Sequence, residues 1–130
     1  MKCILLAAGY ATRLYPLTKD KPKALLKLGE KTILDIVVDK IEKIKEIDEI
    51  YIVTNHKFYK NFLEWAKEYK GEQRVTVLDD FTTDNANRLG AIGDIDFVLR
   101  NAQIDDDIFV LASDNAFTFL LNDMVDLFKT

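Results

Sequence analysis

The sequence is short of the residues that build redox-active or soft-metal centres. It holds one cysteine, one histidine and two prolines in 130 residues. With Cys3 alone, no internal disulfide forms, which fits a reducing, cytoplasmic setting. Cys3 reads as filler in a buried strand. One Cys and one His also exclude a Cys/His metal cluster. His56 reads as a surface residue at a strand end, with a ligand contact as the lesser alternative. No apolar run approaches the roughly 20 residues that span a bilayer, and no signal-peptide core follows Lys2. Excess positive charge is missing too. A net charge of −4 argues against general affinity for nucleic acid or anionic membrane. Gly29-Glu30-Lys31-Thr32 interrupts the Gly-Lys-Thr triplet that a P-loop requires, and Gly90-x-x-Gly93 lacks the first glycine of a dinucleotide fingerprint. No Ser/His/Asp order suggests a covalent nucleophile.

What is present is concentrated near the start. Cys3 to Leu6 is a short apolar run, the composition of a buried strand. It breaks at Ala7-Ala8-Gly9, where small side chains let a ligand approach the backbone. A loop bounded by Pro16 and Pro22 follows. Between Thr12 and Lys31 six basic residues (Arg13, Lys19, Lys21, Lys23, Lys27, Lys31) face two acidic ones (Asp20, Glu30), a local charge of +4 in an acidic chain. A charge run is more often a solvated face. Directly after a buried strand and a glycine turn, it favours an anion site instead.

The length allows one domain, residues 1–130, with a single core. Thr32-x-x-Asp35 resembles a capping box opening a helix from Ile33 to about Lys45. Ile50 to Val53 form a second strand ending at Thr54-Asn55. Phe58, Phe62, Trp65 and Tyr69 mark one face of a second helix, a core stripe rather than a cofactor box, with Gly71 as its C-cap. Val75 to Leu78 form a third strand. Asp79 to Asn87 read as a polar loop. Leu89, Ile92, Ile95 and Leu99 give a third helix, Ile108 to Leu111 a fourth strand, and Leu120 to Phe128 a last helix. The strands are continuous apolar runs, as in a parallel sheet covered on both faces. The expected fold is therefore α/β, a Rossmann-like three-layer sandwich with sheet order 3-2-1-4. Its switch point lies between strands one and four. That topology brings Arg13 and Lys23 toward Asp114 across a crevice, a set that suits a Mg²⁺-bound polyphosphate.

Leu6-Ala7-Ala8-Gly9-Tyr10-Ala11-Thr12-Arg13-Leu14, Pro16-Leu17-Thr18 and Lys21-Pro22-Lys23-Ala24-Leu25-Leu26 closely resemble the signature of the sugar-phosphate nucleotidyltransferases. Ile52-Val53-Thr54-Asn55 and Val110-Leu111-Ala112-Ser113-Asp114-Asn115 match later landmarks in order. The resemblance implies joining of a nucleoside triphosphate to a sugar 1-phosphate, with Mg²⁺ and release of pyrophosphate. It implies a nucleotide against Leu6, Ala7, Ala8, Gly9, Tyr10, Ala11 and Thr12. Arg13 would bind the departing pyrophosphate, Lys23 would bridge the reacting phosphates, and Asp114 would ligate Mg²⁺. Ala11 stands where the family usually has a second glycine. Asp84 to Leu89 replaces a Gly-containing base motif, leaving Asn85, Asn87 and Arg88 to read the base or triphosphate, or the Asn residues to cap a helix. Family members continue past the Asp114 helix, so the chain reads as their N-terminal nucleotide-binding region, weak or inactive alone, with a sheet edge prone to homo-oligomer pairing. Three further readings are kept: a phosphocholine cytidylyltransferase-like enzyme, a nucleotide-binding regulatory remnant, and a signalling receiver module using Asp79 or Asp80.

Overall fold

The computed structural model describes residues 1–8, 21–71, 73–83, 90–104 and 106–112. The expected last helix lies outside the described residues. Four strands form one parallel sheet: β1 (Lys2–Ala7), β4 (Glu49–Thr54), β5 (Arg74–Asp79) and β6 (Ile108–Ala112). A separate two-stranded ribbon pairs β2 (Lys27–Leu28) with β3 (Lys31–Thr32). The helices are α1 (Ile33–Ile41), α2 (Tyr59–Glu68) and α3 (Gly90–Asn101).

The sheet order is β5-β4-β1-β6, the order expected from the sequence. Pairing is in register at the carboxyl ends. Ala7 lies opposite Thr54, Thr54 opposite Asp79, and Leu6 opposite Ala112. Side-chain alternation splits β1 between two cores. Cys3, Leu5 and Ala7 pack with Leu34, Val37, Val38 and Ile41 of α1 and with Phe58 and Phe62. Ile4 packs on the other face with Tyr51, Val53 and Val98 of α3. Burial on both faces is why these strands read as unbroken apolar runs. Among the described residues, α1 and α2 cover one face and α3 the other, giving three layers. None of the described helices is long and apolar enough to cross a membrane.

Two local expectations are adjusted. The capping box is complete: Asp35 N donates to Thr32 Oγ1 at 3.0 Å and Thr32 N donates to Asp35 Oδ2 at 2.9 Å. The first helix ends at Ile41, not near Lys45. Ile44 and Ile47 remain fully buried, but through i→i+3 turns, with Ile44 N on Ile41 O and Ile47 N on Ile44 O. Gly71 is not a left-handed cap, because the helix closes at Tyr69 with extended backbone. A Cβ at Gly71 would collide with Glu42 Oε1 and the Tyr69 hydroxyl. Gly29, the remnant of the rejected P-loop, has φ +76 and opens the two-residue turn between β2 and β3. A positive φ at the first central position is what a type II′ hairpin turn demands of glycine.

Candidate functional site

The carboxyl edge of the sheet is where the chain gathers polar groups. β1 delivers Leu6, Ala7 and Ala8 there; Ala7 and Ala8 are buried. Asn55, fully buried just past β4, donates from Nδ2 to Ala8 O at 3.0 Å. Its Oδ1 accepts from Phe58 N at 2.9 Å. One side chain therefore ties the floor of the basic loop to the start of α2. An amide suits this post because it offers a donor and an acceptor at once. The sequence marked Asn55 as a strand end and a landmark, not as a site residue.

Lys23 sits at the head of a single 3-10 turn, Lys23–Leu25, entered from extended Pro22. Leu25 N bonds to Pro22 O and Leu26 N to Lys23 O. Ala24 and Leu25 are buried in the same apolar cluster as Ala7, Leu34 and Val37. Burial of the two residues after it fixes the backbone of Lys23, whose own side chain is half-buried. Gly9, Tyr10, Ala11, Thr12, Arg13, Asn85, Asn87, Arg88 and Asp114 lie outside the described residues.

The segment expected to be a plain polar loop is partly buried. Asp80 and Thr82 are each 5% exposed. Asp80 N bonds to Thr54 O at 2.8 Å, and His56 N bonds to Thr82 O at 2.8 Å, stitching this segment to the end of β4. Asp80 Oδ1 accepts from Thr82 N at 2.9 Å and from the Thr82 hydroxyl at 2.7 Å. Asp94 of α3, also 5% exposed, faces Asp80. His56 is exposed and pairs through Nδ1 with Asp79 Oδ2 at 2.7 Å, a surface role as expected. Phe81 is exposed with φ 66, its N–H held by Asp79 Oδ1 at 2.7 Å and its ring edge-on to Phe97. Of the two aspartates on which a receiver module would rely, Asp80 is buried and bonded to Thr82, and Asp79 is engaged by His56 and the Phe81 amide. No local signal in the sequence separates Asp80 from a solvated loop aspartate, because the strand before it reads as a continuous apolar run.

Among the described residues no three His, Cys, Asp or Glu side chains group as metal ligands.

A parallel sheet with its switch point between β1 and β6 defines an α/β protein of the Rossmann-like class. The family described as "Nucleotidyl transferase" matches residues 2–130, and the chain belongs to it. It is 29% identical over 132 residues to "Bifunctional protein GlmU" of Methanococcus aeolicus, covering 97% of this chain and 31% of that protein. It is 31% identical over 115 residues to a "Putative mannose-1-phosphate guanyltransferase" of Sulfolobus acidocaldarius, covering 88% of this chain and 30% of that one. The solved CTP:phosphocholine cytidylyltransferase of Streptococcus pneumoniae superposes with a TM-score of 0.67 at 27% identity, over 94% of this chain and 49% of its own. The chain thus spans about a third of these two curated relatives.

Proposed function

We propose that this chain is the nucleotide-binding region of an enzyme that joins a nucleoside triphosphate to a sugar 1-phosphate and releases pyrophosphate. The observation that carries the reading is the β5-β4-β1-β6 order, which sets the loop after β1 at the switch point, together with the family match over residues 2–130. In this reaction a phosphate oxygen of the sugar attacks the α-phosphorus. The bond to the bridging oxygen breaks, and that oxygen leaves with pyrophosphate. The attacker is already an anion, so the task is alignment and relief of charge repulsion.

Each residue has a stated part. Ala8 and Gly9 form a close-approach floor, and Asn55 holds that floor in place. Arg13 clamps the leaving pyrophosphate, and Lys23 lies between the reacting phosphates. Leu6, Ala7, Tyr10, Ala11 and Thr12 complete the nucleotide contact, and Asn85, Asn87 and Arg88 read the base or triphosphate. Asp114 follows Ala112 by two residues and is assigned to Mg²⁺, which commonly binds one or two carboxylates together with substrate phosphates. Bound there, Mg²⁺ would neutralise triphosphate charge. A second copy pairing along the sheet edge, and a cytoplasmic location, belong to the same reading.

A phosphocholine-like acceptor is the second reading, favoured by the likeness to the solved cytidylyltransferase. Pyrophosphate release by the whole protein, assayed with four nucleoside triphosphates against several sugar 1-phosphates and phosphocholine, separates the two. Turnover with a sugar 1-phosphate supports the first reading. Turnover with phosphocholine alone supports the second, and no release with any pair overturns both.

A further inference from the structure

Two buried carboxyls meet where α3 passes the carboxyl end of β5. Asp80 and Asp94 come from sequence positions 14 residues apart and are each 5% exposed. Asp80 Oδ1 is satisfied by Thr82, but Asp80 Oδ2 and Asp94 Oδ1 are buried with no hydrogen-bond partner. Two ionised carboxylates offer only acceptors to each other, and burial of both charges together is costly. One proton makes one of them a donor to the other, which removes a charge and an unmet acceptor together. We propose that Asp80 and Asp94 share a single proton, forming an acid–carboxylate pair that fastens the N-terminal half of α3 to the carboxyl end of the sheet.

The consequence reaches the candidate site. Asp80 N is bonded to Thr54, Thr82 O to His56 N, and the adjacent Asn55 holds Ala8. The shared proton is therefore a positioning device for the floor of the crevice. Burial first, then the hydrogen bond and charge of Asp80, pushes the Asp94 carboxyl up to about 8. Other charged groups on the packed elements are committed elsewhere. Asp79 pairs with His56, and Asp96 with Arg100 on α3. Lys2 and Glu49 meet at the opposite end of β1 and β4, where Tyr51 also interacts with Glu49. Asp106 and Asp107 precede β6 at that same end. Asp84 and Arg88 lie outside the described residues.

The folded state holds a proton that the unfolded chain releases near the ordinary aspartate value of about 3.9. Stability attributable to the pair is therefore present at acid pH and is lost as pH rises from about 4 toward 8. Thermal unfolding of the protein and of Asp94→Asn should be followed from pH 5 to pH 9. The amide is a permanent donor to Asp80, so the variant should gain about 5 °C on the wild type across that range. Asp80→Asn should abolish the same pH dependence, which keeps the test valid if one variant does not fold. Infrared spectra at pH 7 should show a protonated-carboxyl band in the wild type that Asp94→Asn removes. A difference in Tm that is constant with pH, or no such band, would overturn the proposal.

Discussion

Asn55 carries two hydrogen bonds that set the site's geometry. Asn55→Ala leaves the Ala8 carbonyl and the Phe58 amide without their partner in a buried setting. The expected loss is about 2–4 kcal/mol, read from urea unfolding, with a nucleotide affinity that falls further than stability explains. Asn55→Asp tests the donor alone, because it keeps the acceptor for Phe58 and sets a carboxylate against the Ala8 carbonyl. It should be at least as damaging as the alanine. Cys3 makes a contrasting case. It is fully buried, and burial alone pushes its thiol up to about 12. Cys3 should resist alkylating reagents in the native protein at pH 8 and react only as fast as the chain unfolds. Fast labelling of the folded form would contradict the placement. Cys3 was legible in the sequence, since an apolar run has room for it. Asn55 was half legible, as a strand end. Asp80 and Asp94 were not, because a buried aspartate looks like a loop or helix-surface aspartate until its neighbours are known.

At the level of elements, the start of α1 shows how local chemistry and packing combine. Burial raises the Asp35 carboxyl, but hydrogen bonds from the Thr32 backbone, the Trp65 indole and the Thr32 side chain outweigh it and hold the group below its usual value. Its contribution is therefore present at neutral pH and is lost as pH falls through the lowered pKa. Thr32→Ala should cost about 1 kcal/mol by removing one half of the box, measurable by thermal unfolding at pH 7. Trp65 joins this cap to α2 through a 2.8 Å bond to Asp35 Oδ1, and stacks on Tyr69 at 5.3 Å. The aromatic stripe is structural, as its spacing indicated. The glycine after it was read as a helix cap, and the structure gives it a different reason. Gly71 leaves space for the Tyr69–Glu42 hydrogen bond of 2.6 Å. Gly71→Ala should displace that bond, for a cost of about 1 kcal/mol by the same measurement.

For the molecule as a whole, the test of function is whether Lys23 acts on phosphate or merely holds the fold. The buried Ala24 and Leu25 anchor its turn, so truncating the side chain leaves that anchor intact. In the whole enzyme Lys23→Ala should lower kcat by about 10²–10³ with Tm almost unchanged. A parallel collapse of Tm would make the lysine structural. The order of the sheet was legible because continuous apolar strands and right-handed crossovers leave few alternatives. The candidate loop was marked in the sequence by its adjacent glycine, prolines and lysines, and its residues 9–20 lie outside the described residues.

By itself, the sequence determined the alternation of strands and helices, the order of the sheet, and the loop that meets the nucleotide in the proposed function. These follow from short-range chemistry: apolar runs, caps and turn residues. Only the tertiary structure decided that Asn55 supports Ala8, that Asp80 and Thr82 turn inward, and that Asp94 meets Asp80. Those contacts join residues as far as 47 positions apart. Whether a polar side chain ends buried and bonded, or in water, depends on what the rest of the chain places opposite it.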